Sequence, residues 1–187
     1  MIGVTDERIA YRHVSEISPW VSVVEKGLRI GGRVEAHHCL RLRDYVCVLA
    51  FGDDGRIPLV RQYRPAIEAV TLELPSGLFV QEDTIDHSAC AVQELAEEVG
   101  LCPVAPLELL GKMMPDTGRL ENKIFAYFCR QAVSISGWTP EAGVERLLVT
   151  KDELASLVLG GEFGHALHVA VVTLAVLRGY LPELCGK

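Results

Sequence analysis

Hydrophobic and polar residues alternate along much of the chain with the period of two that is typical of β-strands. Short apolar or alternating runs are separated by turn residues such as Gly31-Gly32 and Gly52-Asp53-Asp54-Gly55. The pattern predicts strands at Val21–Val24, Gly27–Val34, His37–Leu42, Tyr45–Ala50, Ile57–Arg61, Val70–Leu74, Leu107–Met113, Lys123–Cys129 and Val144–Val149.

Three later segments have the helical period instead. Apolar side chains recur at helical spacing between Asp86 and Val99, and Gly100 follows where a left-handed C-terminal residue belongs. A capping box at Thr150–Glu153 predicts the start of a second helix that ends at Gly160-Gly161. A third helix, Gly164–Arg178, is apolar nearly all round, and we expect it to be buried. Strands and helices in this order predict a mixed α/β fold.

Composition narrows the class of protein. The chain of 187 residues has 25 acidic and 18 basic residues and a net charge of −7. We therefore expect no general affinity for nucleic acid, because phosphate neutralisation needs a basic surface. The N-terminus does not resemble a secretory signal, and the apolar stretch Ala166–Leu177 is too short to span a bilayer. Six cysteines without C-x-x-C spacing favour reduced thiols, and we expect a cytoplasmic protein without a membrane partner.

The first predicted helix carries an unusual group of acids. Glu94, Glu97 and Glu98 lie within about 100° of one another on a helical wheel, opposite its apolar arc. Three interpretations are open. The carboxylates form a solvated face, or they bind a hard divalent cation, or His87 and Cys90 join Glu94 in a transition-metal site.

Motifs in and around this helix resemble those of the Nudix hydrolases. Gln93–Leu101 reads QELAEEVGL and resembles the second half of the Nudix box. Glu73–Leu78 (ELPSGL), Val60–Pro65 (VRQYRP) and Pro115–Glu121 (PDTGRLE) resemble segments of the ADP-ribose pyrophosphatase branch, in the same order along the chain. The resemblance spans roughly residues 46–181.

This resemblance implies the architecture. We expect an α/β fold of the Nudix type, an α/β/α sandwich with a mixed sheet, preceded by N-terminal antiparallel strands. Residues 45–187 would form the Nudix hydrolase domain. Residues 1–44 would form the preceding strands, which in this branch build a two-fold homodimer.

It also implies a reaction and its catalytic residues. The family hydrolyses the diphosphate linkage of nucleoside diphosphate derivatives with Mg²⁺ or Mn²⁺ bound, and a nucleoside diphosphate sugar, ADP-ribose first, is the small-molecule substrate that the branch implies. Glu94, Glu97 and Glu98 would be catalytic and would hold the metal, together with the backbone carbonyl of Ser76. A further carboxylate, Glu141 or Glu145, would act as ligand or base.

Five residues are candidates for substrate binding by the same resemblance. Arg61 and Arg64 stand on one predicted strand, and we expect them to face the same side and bind phosphate. Glu73 belongs to the ELPSG segment, Glu121 would bind a ribose hydroxyl, and Trp20 would stack on a base. Each has a plainer interpretation: exposed strand cations, a loop carboxylate, a core or interface aromatic. We interpret His165 and His168 as packed side chains.

Two departures from the box affect the prediction of activity. Gln93 stands where the family has an Arg, and Gln supplies neither the charge nor the planar fork. The segment after Gly77 is two residues longer than the pattern, so that either Glu82 or Asp83 would replace the first box glutamate or the longer loop would leave that role empty. An impaired Nudix module that binds a nucleotide in a regulatory role is therefore the alternative function.

Overall fold

The fold is described from a computed structural model, which covers residues 6–79 and 86–184. Its strands are β1 (Ile9–Ser18), β2 (Val21–Ile30), β3 (Arg33–Arg41), β4 (Tyr45–Gly52), β5 (Ile57–Arg64), β6 (Ala69–Glu73), β7 (Ser76–Leu78), β8 (Leu101–Pro103), β9 (Glu108–Met113), β10 (Ile124–Ser134) and β11 (Val144–Val149). Its helices are α1 (His87–Val99), α2 (Lys151–Gly160) and α3 (Ala166–Leu177), and a short 3-10 helix follows at Pro182–Leu184.

The chain divides into two compact units. The first contains the described residues up to Asp44 together with Met114–Lys123, and the second contains Tyr45–Met113 and the described residues from Ile124 onward. One break between the units falls between Asp44 and Tyr45. Met114–Lys123 belongs to the first unit by its contacts.

The first unit is built on an antiparallel sheet with the strand order β1-β2-β3. Two of its strands meet at Gly31 and Gly32, whose positive φ angles of 56° and 79° make the tight turn of a hairpin. The predicted strand Gly27–Val34 was therefore wrong, because this turn divides it between β2 and β3. Strand β1 was missed because its sequence lacks a marked apolar alternation, and most of its residues are exposed.

The second unit contains a mixed sheet and a smaller antiparallel sheet. In the mixed sheet the order is β7-β4-β10-β8, β9 also pairs with β10, and β4 runs parallel to β10. The smaller sheet has the order β11-β5-β6. Most predicted strands here are confirmed within a few residues, although β10 continues to Ser134. The short strands β7 and β8 were missed, since each has only three residues.

Side chains of β4 alternate between two hydrophobic clusters. Val46, Val48 and Ala50 pack with Leu95 and Val99 of α1. On the other face, Cys47 and Leu49 pack with Val171, Val172 and Ala175 of α3. The sheet thus has helices on both faces, which is the predicted α/β/α arrangement, and the apolar face of α1 packs against it.

The two later helices agree with their sequence signals. Thr150 caps α2 in a capping box, because its hydroxyl accepts from the Glu153 backbone and Glu153 accepts from the Thr150 backbone. Helix α3 buries four side chains, although Thr173 and Leu177 are exposed. In the described part of the chain, no helix has the length and apolar character that crossing a membrane would require.

Candidate active site

Helix α1 begins and ends at well-defined caps. The side chain of Asp86 accepts a hydrogen bond from the Ala89 N–H at 2.8 Å. Gly100 ends the helix in the left-handed conformation, with φ of 63°. Because Ala91, Leu95 and Val99 are buried, the rotation of the helix is fixed. Glu94 and Glu98 are half-buried as a result, and Glu97 is exposed.

Glu94 and Glu98 lie against the strand β7. The Ser76 N–H donates to Oε2 of Glu98 at 2.8 Å. The carboxylate of Glu94 lies so close to Gly77 that a Cβ at this position would overlap it. A side chain at position 77 would therefore displace the carboxylate of Glu94 from its place beside β7.

Burial has a clear electrostatic effect on both acids. It raises the pKa of Glu94 to about 7 together with the neighbouring charges of Glu97 and Glu141. Burial likewise raises the pKa of Glu98 to about 7, against the hydrogen bond from Ser76. This side of α1 is thus not a simple solvated acidic face, since two of its three acids are partly withdrawn from water.

Gln93 contributes a contact within the helix. Its side-chain Nε2 donates to Oε1 of Glu97 at 2.8 Å, one turn along the helix. Gln93 thus holds the carboxylate of Glu97 by a hydrogen bond, without supplying a charge.

The structure separates the two candidate loop carboxylates. Glu141 lies near enough to Glu94 for its charge to raise the pKa of that acid. Glu145 stands opposite Arg61 across the pair of strands β5 and β11, and the two side chains form an ion pair at 3.0 Å. Glu141, and not Glu145, therefore neighbours the acids of α1.

The expectation that Arg61 and Arg64 face the same side was wrong. Side chains alternate along a strand, and residues three apart point to opposite faces. Arg61 pairs with Glu145, whereas Arg64 donates to both oxygens of Glu73, at 2.8 and 2.5 Å. The acids near Arg64 include Glu98 of α1 as well as Glu73, so Arg64 is the arginine that faces the acids of α1.

Glu73 is held as an anion although it is buried. Its side chain is only 1% exposed, and burial by itself raises its pKa. Hydrogen bonds from Arg64 and from the Thr71 hydroxyl, the latter at 2.7 Å, outweigh burial and lower the pKa to about 2. Thr71 was not among the predicted site residues, although its position two residues before Glu73 on one strand places both on the same face.

A cleft of about 550 Å³ opens beside this pair. Its polar lining includes Arg64, Thr71, Glu73, Glu162 and His165. Its apolar lining includes Ile67, Val70 and Ala166. A cleft of this size and mixed character is large enough for a small organic ligand.

Comparisons with known proteins agree with these features. The NUDIX domain profile matches residues 41–166. The chain belongs to the Nudix family. A curated ADP-ribose pyrophosphatase from Mycobacterium tuberculosis is 26% identical over 144 residues, which cover 70% of this chain and 69% of the relative. A solved structure of an ADP compounds hydrolase matches with a TM-score of 0.76 and 19% identity, covering 96% of each chain.

These matches confirm the Nudix fold, the family and the prediction of a Nudix-type hydrolase. The curated relative carries the name of the branch that the sequence motifs resemble. The predicted substitutes for the first Nudix-box glutamate, Glu82 and Asp83, lie outside the described residues.

The acids of helix α1 fit a divalent cation. Glu94 and Glu98 are oxygen donors whose negative charges lie close together and are partly shielded from water. Within the described residues, neither acid forms an ion pair with Lys or Arg. Such a pair of acids is stabilised when a hard cation lies between them. Ser76, whose N–H already bonds Glu98, is placed beside the same acids.

The transition-metal interpretation fits less well. The ring of His87 lies between Phe79 and Phe125, with centroid distances of 3.9 and 3.6 Å. Cys90 is buried, and burial raises the pKa of its thiol to about 11. A thiol that stays protonated is a poor metal ligand. His87 and Cys90 are thus packing residues of helix α1.

A different trio brings possible ligand atoms together: Glu73, His165 and His168, all within 4.8 Å of one another. However, Nδ1 of His168 accepts a hydrogen bond from the Leu74 N–H at 3.0 Å. Burial lowers the pKa of His168 to about 3, so the ring is neutral and carries its proton on Nε2. Glu73 already accepts from Arg64 and Thr71. Neither ring nitrogen of His168 then has a free lone pair for a metal, since Nδ1 accepts from Leu74 and Nε2 carries the proton. The two histidines of the trio are better explained as packed side chains, as the sequence indicated.

The two remaining candidates belong to the first unit. Glu121 forms ion pairs with Arg12, Lys26 and Arg41, at 2.8, 2.7 and 3.1 Å. Burial by itself raises its pKa, but hydrogen bonds from Lys26 and Arg41 lower it to about 2. Trp20 is 56% exposed, and the Arg43 guanidinium lies 5.4 Å from its ring centroid. Substrate binding by Glu121 and Trp20 stays a prediction.

Proposed function

We propose that this protein hydrolyses the diphosphate linkage of a nucleoside diphosphate sugar, with ADP-ribose as the first candidate. One observation carries the proposal: Glu94 and Glu98 lie half-buried beside Ser76 and Gly77, with pKa values of about 7 and no ion pair to Lys or Arg among the described residues. The name of the curated relative supports ADP-ribose as the substrate class.

Glu94, Glu97, Glu98 and the carbonyl of Ser76 would hold Mg²⁺ or Mn²⁺. When bound, such a cation stabilises negative charge on phosphoryl oxygens and lowers the pKa of a bound water. The protein's own part is to fix these oxygens in place. The Ser76 N–H holds Glu98, Gln93 holds Glu97, and Gly77 leaves room for Glu94.

The reaction adds one water across the anhydride. A water oxygen bonds to one phosphorus, the bridging P–O bond breaks, and two phosphate monoesters are released. Glu141 is the proposed base that takes the proton of the attacking water, because its carboxylate neighbours Glu94. Glu145 is the weaker candidate because of its ion pair with Arg61.

Arg64 is the proposed phosphate contact. Glu73 binds its Nε and Nη2 atoms, which orients the guanidinium and leaves Nη1 to donate to a phosphoryl oxygen. The cleft next to Arg64 would then receive the sugar. Among the described residues that line the cleft, none is Phe, Tyr or Trp on which a base could stack, whereas its carboxylates and imidazole suit sugar hydroxyls.

Purified protein tests the proposal with a panel of nucleoside diphosphate sugars and either Mg²⁺ or Mn²⁺. We expect ADP-ribose to give AMP and ribose 5-phosphate, separated by chromatography. Absence of turnover with every substrate and both metals, over a range of pH, would contradict the proposal. Ligand binding in calorimetry without turnover would instead support the regulatory module, for which Gln93 is the motivating residue.

A single substitution locates the chemistry on α1. Glu98→Gln keeps the hydrogen-bond acceptor for Ser76 but removes the charge, and we expect kcat to fall by about 10³-fold or more. Asp53→Asn, an exposed carboxamide substitution in the turn after β4, is the matched control and should leave kcat unchanged. Equal rates for Glu98→Gln and the unmodified protein would show that the site lies elsewhere.

We also propose that the protein is a cytoplasmic homodimer without nucleic-acid or membrane partners. The described cysteines, at 39, 47, 90, 102 and 129, are all free, which suits a reducing compartment. Cys185 lies outside the described residues. The dimer proposal depends on the apolar side chains that the first unit exposes, and its test is given below.

A further inference from the structure

The C-terminal end of α1 is held by groups from outside the helix. The indole Nε1 of Trp138 donates to the carbonyl oxygen of Glu97 at 2.9 Å. Nη1 of Arg146 donates to the carbonyl oxygen of Val99 at 2.8 Å. In addition, the Ile135 N–H donates to the carbonyl oxygen of Gly100 at 2.8 Å. Carbonyls that a helix end leaves without partners are therefore bound by the segment after β10 and by β11.

Trp138 and Arg146 also contact each other and the cap residue. The Arg146 guanidinium lies 4.7 Å from the centroid of the Trp138 ring. The indole ring packs so closely on Gly100 that a Cβ there would overlap it. One continuous set of contacts thus runs from β11 through the indole ring to the helix end.

This arrangement supplies what α1 lacks in its own sequence. The helix has acids at 94, 97 and 98 and no basic residue in its last turn. Acids near a helix C-terminus are unfavourable, because the unpaired carbonyls already give that end a partial negative charge. Gln93 adds a hydrogen bond but no charge. Arg146 is the cation at this end, and it comes from a different strand.

Trp138 is also close in sequence to the proposed base. Glu141 follows it by three residues, in the loop that leads through Gly143 into β11. The Val144 N–H donates to the carbonyl oxygen of Glu141 at 3.1 Å, which closes the loop. Contacts on both sides of Glu141 thus connect its loop to the helix that carries Glu94.

We propose that Trp138 and Arg146 are positioning residues for the carboxylates of α1. They fix the turn that bears Glu97 and Glu98, and they fix it relative to the loop that bears Glu141. Neither residue touches the substrate in this proposal. Their effect is on the affinity of the carboxylate cluster for a divalent cation, and the inference therefore rests on the proposed function.

Two conservative substitutions test the role. Trp138→Phe keeps an aromatic ring but removes the N–H that binds Glu97. Arg146→Lys keeps the charge but removes the planar fork. Arg130→Lys is the matched control, because Arg130 also pairs with an acid, Glu108, and lies 5.0 Å from an aromatic ring without contact to α1.

The Mn²⁺ dissociation constant, measured by electron paramagnetic resonance, is the main measurement because it needs no turnover. We expect it to rise about fivefold to tenfold in each of the two variants, the effect of losing one hydrogen bond, and to stay within about twofold in Arg130→Lys. The Mg²⁺ concentration for half-maximal rate should rise in parallel, while KM for substrate at saturating Mg²⁺ should change little.

Each outcome decides a different point. Lower melting temperatures with unchanged Mn²⁺ affinity would show a purely structural role and overturn the inference. Unmodified protein that binds Mn²⁺ without turnover would contradict the proposed function alone, and weaker Mn²⁺ binding by the variants would still support the positioning role. Unmodified protein that binds no Mn²⁺ would overturn both.

Discussion

At the scale of single residues, the site depends on charges that the protein places close together and keeps partly dry. Glu73 and Glu94 show the two ways in which burial can act on a carboxylate. Arg64 and Thr71 hold Glu73 as an anion and lower its pKa to about 2. Glu94 has only acidic neighbours among the charges that shift its pKa, which is about 7. The first arrangement orients Arg64 for the proposed phosphate contact, and the second suits the binding of a cation.

Glu94 should make the stability of the metal-free protein depend on pH. Its pKa in the folded protein, about 7, exceeds the ordinary value of 4.5, so folding takes up a proton. Its contribution to stability is then fully present below pH 4.5 and is lost as the pH rises through 7. Glu94→Gln does not titrate, and in EDTA at pH 8 we expect it to be more stable than the unmodified protein by about 1 kcal/mol after allowing for solvent screening.

Thermal unfolding at pH 5 and pH 8 measures this difference. The gain from Glu94→Gln should be small at pH 5 and larger at pH 8, and Mg²⁺ should reduce it by stabilising only the protein with Glu94. The same gain at both pH values would mean that the carboxylate of Glu94 is not destabilised by burial.

Gln93 gives a second prediction for a single side chain. Gln93→Met removes the hydrogen bond to Glu97 while keeping a similar length, and we expect kcat/KM to fall by about fivefold, the effect of roughly 1 kcal/mol at an exposed position. Gln93→Arg can bind Glu97 again and should restore or exceed the original rate. Equal rates for the unmodified protein and Gln93→Met would show that the contact has no part in catalysis.

At the scale of elements, the sequence predicted α1 well because several signals agree there. The apolar spacing and Gly100 both indicate the same helix, and the acids could be placed on one side of it. The sequence could not show that this side lies against β7, since Ser76–Leu78 is a three-residue strand defined by its partner β4. Nor could it show Trp138 and Arg146 at the helix end, because they are about 40 and 47 residues away and meet only in the fold.

Gly100 tests the end of α1 as an element. Gly100→Ala places a Cβ in the left-handed region and against the Trp138 ring, and we expect a loss of stability of about 2 kcal/mol. Gly55→Ala is a matched control, because Gly55 also has a positive φ but open space around its Cα. Chemical denaturation measures both. A loss no larger in Gly100→Ala than in the control would contradict close packing of the indole on the cap.

At the scale of the whole molecule, an acidic protein is proposed to bind an acidic substrate. The net charge of −7 and the diphosphate repel each other, so the proposal requires cations between them. Arg64 is one, and a divalent metal on the α1 acids is the other. From the net charge we expect no general affinity for nucleic acid, but the net charge does not exclude a nucleotide as ligand, because affinity depends on where the charges lie.

The exposed apolar side chains of the first unit lead to a prediction of the oligomeric state. Its sheet exposes large apolar side chains: Ile17 at 67%, Trp20 at 56%, Val34 at 52% and Ile30 at 49%. By the strand register, Ile17 and Trp20 lie beside the Val21 end of β2, and Val34 lies beside its Ile30 end. Apolar side chains exposed at both ends of one small sheet favour association with another protein, and this supports the proposed homodimer. We expect light scattering after size exclusion to give twice the chain mass of 20.5 kDa.

Charge introduced on this surface should separate the copies. Ile17→Lys combined with Val34→Lys places two desolvated cations in the interface, and we expect the monomer mass at micromolar concentration. Leu159→Lys is the control, because Leu159 is 83% exposed on α2 in the second unit and should leave the dimer intact. A monomer mass for the unmodified protein would contradict the dimer itself. A dimer that survives the double substitution would show that these strands do not form the interface, because burying two unpaired lysines would destabilise it.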